Sequence, residues 1–200
     1  MLVGLLNMKP IDKPWEQLKK AEAFIQKMSS AKSLDEFEEY WIDFLHQLER
    51  SWNKLHSHLR RSPKYQGWVE RGRTGKLRKK DELLSYLKNA RGAEEHTIAD
   101  ISKKTLGGMG IRPAVGGSVH IKSMVIENGK ISIDADRPLI LEFKPGKLSL
   151  LEVENRGRIY SVPQNHLGKA IEDQNPISLA KLGIAFYKEY FEKAEKHFVK

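Results

Sequence analysis

The chain has 200 residues, forty per cent of them hydrophobic, with four tryptophans, no cysteine and a formal net charge of +9. That much apolar material can fill the core of one domain or two small ones, which excludes global disorder. The lack of cysteine excludes disulfides, thiolate metal sites and cysteine nucleophiles, and fits a cytoplasmic location. The apolar run Met1 to Leu6 is too short for a signal peptide or a membrane span. No later window is apolar enough to cross a bilayer, so no membrane association is predicted.

Asp12-Lys13-Pro14 predicts a helix start, with the proline in the first turn, where a missing N–H is harmless. Trp15, Leu18, Ala21, Ile25 and Met28 then recur at helical spacing, and Ser29 to Lys32 ends the run. Ser33-Leu34-Asp35-Glu36 reads as a capping box, in which Ser33 caps the amide of Glu36 and Glu36 reaches back. Behind it, Phe37, Trp41, Phe44, Leu48, Trp52, Leu55 and Leu59 form one stripe in steps of four and three. They predict a long amphipathic helix ending near Ser62-Pro63. Residues 64–78, with three glycines, read as a loop with one short helical turn. A third helix is predicted from about Lys80 to Ser102, carrying Leu83, Leu84, Leu87, Ala90, Ile98 and Ile101 on one side.

The composition then changes. Gly107-Gly108, Gly110, Pro113 and Gly116-Gly117 read as a flexible link. Asn128-Gly129 between Met124-Val125-Ile126 and Ile131-Ser132-Ile133 predicts a hairpin. Pro138 to Phe143 reads as a strand, and Lys144 to Lys147 as a turn. Leu148 to Val153 with Arg158 to Val162 makes a further hairpin. About five strands would form one small antiparallel sheet. From Pro176 the period is helical again, through Leu179, Leu182, Ile184, Phe186, Tyr190 and Phe191. That helix is too apolar to stand alone and should return to the first helices. The predicted class is α+β. An N-terminal helical bundle (1–105) is completed by a C-terminal helix (176–200), with an antiparallel β insertion (106–175) before it.

Charge is concentrated. From Arg50 to Lys80 there are eleven basic residues and one acid, Glu70. Such a segment attracts polyanions, which makes Arg60, Arg61, Lys64, Arg71, Arg73, Lys76, Arg78, Lys79 and Lys80 candidates for nucleic-acid binding. Trp52, Tyr65 and Trp68 lie among them and are candidates for stacking on bases. A solvated helix face followed by a basic loop would give the same pattern.

Arg91 falls on the apolar side of the third helix, with Glu94 near the middle of that side. An arginine and a glutamate facing a core must be paired or line a cleft, and an ion pair from Arg91 to Glu94 or Glu95 fits helical spacing. Position 96 lies about 140° from Arg91 on a regular helix, so cooperation of Arg91 with His96 needs a break at Gly92 or a second subunit.

The run Arg91-Gly92-Ala93-Glu94-Glu95-His96 resembles the arginine, four to six residues, histidine signature of HEPN (higher eukaryotes and prokaryotes nucleotide-binding) ribonucleases. The resemblance covers roughly residues 10 to 105 plus the last helix, and leaves the β insertion unexplained. It implies an α-helical bundle acting as a homodimer, with both copies' arginines and histidines in a basic cleft. RNA would be cut there without metal, through its own 2′-hydroxyl. By position, Arg91 would hold the scissile phosphate and His96 would move the proton. Beside that resemblance, Glu94, Glu95 and His56 are candidate accessory residues. The residue after the arginine, usually polar in the family, is Gly92 here.

His56 and His58, two apart, face different sides of their helix and make no metal pair; His46 and His197 read as surface or boundary residues, and His166 as a turn residue. No acid–histidine spacing makes a zinc or di-metal site, and no serine sits in a nucleophile elbow. The glycines between 107 and 117 lack the Gly-Lys-Ser/Thr of a phosphate loop. The sequence therefore implies no metal and no cofactor. Three functional classes stay open: a ribonuclease, a non-catalytic binder of RNA, another polyanion or a nucleotide, and an interaction module that uses the sheet.

Overall fold

The computed structural model describes residues 10–96 and 100–199, and of His96 the backbone alone. Five α-helices are seen among them: α1 (Asp12–Ser29), α2 (Leu34–Leu59), α3 (Val69–Lys80), α4 (Glu82–His96) and α5 (Pro176–Phe198). The fold class is α+β, with the last helix after all the strands, as the sequence predicts.

The first two helices follow the local signals. Ser33 accepts from the Glu36 amide at 3.1 Å. The Glu36 carboxylate reaches back one residue further than a capping box requires, accepting from the Lys32 amide at 2.6 Å and from the Tyr40 hydroxyl at 2.7 Å. Trp41, Phe44, Leu48, Leu55 and Leu59 of the predicted stripe are buried, while Phe37 and Trp52 pack at its margin. α5 begins at Pro176 behind Asn175, whose side chain accepts from the Ser178 amide. Its buried face joins the same core through Leu179, Ile184, Tyr187, Tyr190 and Phe191. Gly183 lets α5 approach α4, since a Cβ there would lie 2.7 Å from the Leu87 side chain.

Two expectations about the helices are corrected. Residues 69–80 are a helix, not a loop. α3 buries only Thr74 and Arg78, so it has no apolar stripe to betray it. The third predicted helix is α4, which starts two residues later and ends by His96; residues 97–99 lie outside the described part, and Ser102 already belongs to a strand. Asp81 separates α3 from α4. Its extended backbone (ψ 130°) ends the first, and its carboxylate caps the second at the Leu84 amide, 3.0 Å away.

The strands form five two-stranded ladders among the described residues rather than one sheet. β1 (Ser102–Thr105) pairs with β6 (Lys147–Leu150), and β2 (Gly108–Pro113) with β5 (Leu139–Lys144). β3 (Ile121–Glu127) pairs with β4 (Lys130–Ala135), and β7 (Val153–Asn155) with β8 (Arg158–Tyr160). β9 (Asn165–His166) pairs with β10 (Lys169–Ala170). The Asn128-Gly129 hairpin has the predicted form, with φ of 49° and 74° at the two turn residues. The predicted flexible link around Gly108 to Pro113 is instead a strand in register with β5. Gly107 serves a close approach, as a Cβ there would lie 2.7 Å from the Gly146 amide nitrogen.

The chain divides into two compact units. One joins the residues up to Lys103 with those from Leu148 onward, and holds the helices and the core. The other is Lys104–Lys147, shorter than the insertion read from sequence. Residues 148–175 go with the helical unit, because Leu148, Leu150 and Val153 are buried and the Tyr86 hydroxyl donates to the Leu151 carbonyl at 2.8 Å. In the described residues no helix is long and apolar enough to cross a membrane.

Candidate nucleic-acid interface

Arg91 is half-buried on α4 and forms the ion pair with Glu95 that helical spacing allows. Its Nε is buried with no hydrogen-bond partner among the described residues. α4 runs unbroken through Gly92, so positions 91 and 96 stay about 140° apart around its axis. The break at Gly92 that cooperation within one chain would need is not present. What Gly92 accommodates is Asn155 of β7. The Asn155 side chain lies where a Cβ at position 92 would be, and its Nδ2 donates to Asn89 Oδ1 at 3.0 Å.

Two clefts meet at Arg91. One, of about 680 Å³, runs along α2 past Asp43, His46, Arg50, Asn53 and Lys54. The other, of about 400 Å³, is lined by Glu49, Lys88, Asn155, Arg156 and Arg158. Together they present six cations, counting Arg91, against two carboxylates, and one of these, Glu49, is held by Arg78.

His46, read from sequence as a surface or boundary residue, is half-buried and takes part here. Its Nε2 lies 2.7 Å from Glu94 and its Nδ1 3.7 Å from Glu95. Glu95 thus stands between the His46 imidazole and the Arg91 guanidinium. Of the two accessory acids, Glu95 pairs with Arg91 and Glu94 with His46; the latter pairing spans 48 positions, and no local pattern could reveal it.

A third cleft, of about 560 Å³, opens between α2 and α3. Arg60, Arg71, Lys76 and Lys79 line it, and among the described residues no carboxylate does. Gly72 and Gly75 lie in the same wall, on the face of α3 that carries Lys76 and Lys79, and a Cβ at either glycine would meet nothing within 4 Å. His56, at its floor, is buried between two tyrosine hydroxyls, 2.6 Å from that of Tyr65 and 3.2 Å from that of Tyr190. Burial, reinforced by the charges of Arg78, Arg60 and Arg71, lowers its pKa to about 4, so the ring is neutral at pH 7. His56 therefore belongs to this cleft and not to the surroundings of Arg91.

Two sequence expectations change here. Tyr65 and Trp68 are not stacking platforms. Both are buried, Trp68 stacking on Tyr190 and His197. Trp52 is engaged as well, by the Arg78 guanidinium 4.0 Å from its ring centre and by the rings of His56 and Tyr190. Arg78 is not a surface cation: it is 5% exposed and paired with Glu49. The Glu49 carboxylate offsets the cost of burying the Arg78 charge, and the Trp52 face adds a cation–π contact. Of the other basic candidates, Arg61 lines a further hollow beside α1, which also holds Asp12 and shares Lys54 and Ser57 with the cleft along α2. Arg73 lies 3.6 Å from Glu70, and Lys64 and Lys80 are exposed.

His166 does take a turn-fastening role. Its Nδ1 lies 2.9 Å from Asp81, whose other oxygen accepts from the Leu167 amide at 2.7 Å. Burial would raise the Asp81 pKa, but the hydrogen bonds from His166, Leu167 and Leu84 hold it below the ordinary range. The neighbouring Glu82 accepts from the Gln164 and Asn165 amides at 2.8 and 3.0 Å.

No group of three or more metal-ligating side chains occurs among the described residues. The class defined by fold and surface is an α+β protein whose helical unit carries three adjoining cationic clefts. Comparison with protein-family models, with curated proteins and with solved structures finds no match.

Proposed function

We propose that this protein is a HEPN-like, metal-independent endoribonuclease that works as a homodimer. The observation that carries this is the position of Arg91 in the wall shared by two clefts with six cations between them. A guanidinium there can hold a phosphodiester oxygen by a charge-assisted hydrogen bond and stabilise the extra negative charge of the transition state. The unbroken helix sets position 96 away from Arg91 of the same copy, so the second copy supplies the histidine. In the reaction, the RNA 2′-oxygen attacks the adjacent phosphorus and the bond to the 5′-oxygen breaks. A proton leaves the 2′-hydroxyl and another reaches the departing 5′-oxygen, with His96 moving protons and Arg91 holding the phosphate. The products carry a 2′,3′-cyclic phosphate and a free 5′-hydroxyl.

The test is cleavage of single-stranded RNA in EDTA by the wild-type chain and by Arg91→Ala and His96→Ala. Cyclic-phosphate products are expected, with losses of about 100-fold or more in each variant. Undiminished cutting in either variant, or no cutting by the wild type across several RNAs, overturns the catalytic reading.

One observation favours a second reading, a binder that does not cut. Glu95 already compensates Arg91, as it would in a structural pair. Under that reading RNA is retained intact, and affinity falls steeply with salt.

A further inference from the structure

The three cationic clefts are joined through shared residues. The α2–α3 cleft and the cleft along α2 share Asn53 and Ser57, and the latter shares Arg91 with the cleft at β7 and β8. From His46 to Arg60, α2 spans about 21 Å at 1.5 Å per residue. At about 3.4 Å per nucleotide that holds about six nucleotides of one stacked strand.

We propose that these clefts form one continuous track for the sugar–phosphate backbone of single-stranded RNA. The α2–α3 cleft is its anchoring end, remote from the chemistry at Arg91. The inference rests on the RNA reading above and specifies how the strand is held. Three features direct it to backbone and not bases. The cations of the anchoring cleft face no carboxylate there. The nearby aromatic rings are engaged with one another and with Arg71 and Arg78, which leaves them no free face to offer a base. Finally, Gly72 and Gly75 keep the wall of α3 low where nothing among the described residues packs on it. Mid-helix glycine weakens a helix, and at these two positions packing gives no reason for it; close approach of a phosphate to the helix backbone does.

The experiment measures binding of fluorescein-labelled single-stranded RNAs, about three and about twelve nucleotides long, to the His96→Ala chain in EDTA. Lys76→Gln/Lys79→Gln and Gly72→Ala/Gly75→Ala are made in that background. The longer RNA should bind much more tightly than the shorter. The lysine pair should weaken the longer RNA about tenfold and reduce the slope of log affinity against log salt by about 1.4. The glycine pair should weaken it about fivefold while raising Tm by a few degrees, since alanine favours the helix. The glycine variant separates ligand approach from folding: a higher Tm with unchanged binding overturns the assignment. Unchanged affinity in the lysine variant, or full displacement of the RNA by a mononucleotide at equal concentration, also overturns the track. If the wild type does not cut but these variants lose binding, the chemistry falls and the track stands. If it cuts and they bind as before, the reverse holds.

Discussion

Trp41 in the helical unit is fully buried, whereas Phe143 in residues 104–147 is 66% exposed, and the two residues typify their regions. The helical unit turns its aromatic and aliphatic residues inward from four helices into one core. No residue of the 104–147 unit is buried, although its ladders are regular and its Asn-Gly turn is well formed. Local backbone signals and core formation are thus separate achievements. A two-stranded ladder pairs only the facing edges of its strands, and in water it is marginal without an apolar face to cover. The same contrast holds for charge. The helical unit commits some cations to structure, as with Arg78, and leaves others facing clefts, as with Lys76 and Lys79.

The hardest blow to this contrast should come from Trp41→Ala, expected to cost about 3–5 kcal/mol in urea unfolding monitored by circular dichroism. A cost under about 1 kcal/mol would mean that the core is not where the stability lies. Next comes acid. His56 titrates at about 4 in the folded chain against 6.5 when exposed, so the unfolded state binds the extra proton first. Stability should therefore fall as pH drops from about 6.5 to about 4, then level, with a total near 3 kcal/mol from this group. His56→Gln should remove that part of the slope, and an unchanged slope would place the titration elsewhere. A smaller effect is expected from replacing residues 106–145 with a short Gly/Ser linker. Tm should shift by only a few degrees and RNA affinity by less than about threefold, whereas loss of helical signal would show that the unit is integral to the core. Smallest of all, Phe143→Ala should change stability by no more than about 0.5 kcal/mol.

What can be read in the sequence is what repeats with a period or is set by a local capping or turn motif. The α2 stripe, the Ser33 cap, the Asn128-Gly129 turn and α5 all announce themselves within a few residues. α3 was hidden because a helix that buries only a threonine and an arginine has no apolar period, and its two glycines mimic a loop. Arg78 looked like its neighbours Lys79 and Lys80 because what distinguishes it, Trp52 and Glu49, comes from another helix. For the same reason the Arg91–Glu95 pair was legible at one turn's spacing and the His46–Glu94 pair was not.

The fastening of residues 164–167 to Asp81 and Glu82 bears on how the chain is made. The first turn of α4 finds those partners only after 82 or more further residues have been joined. α5 follows later still, with Pro176 eighty positions beyond His96. At about 5–20 residues per second, α1, α2 and α4 wait on the ribosome for about 4–16 s with an uncovered apolar face.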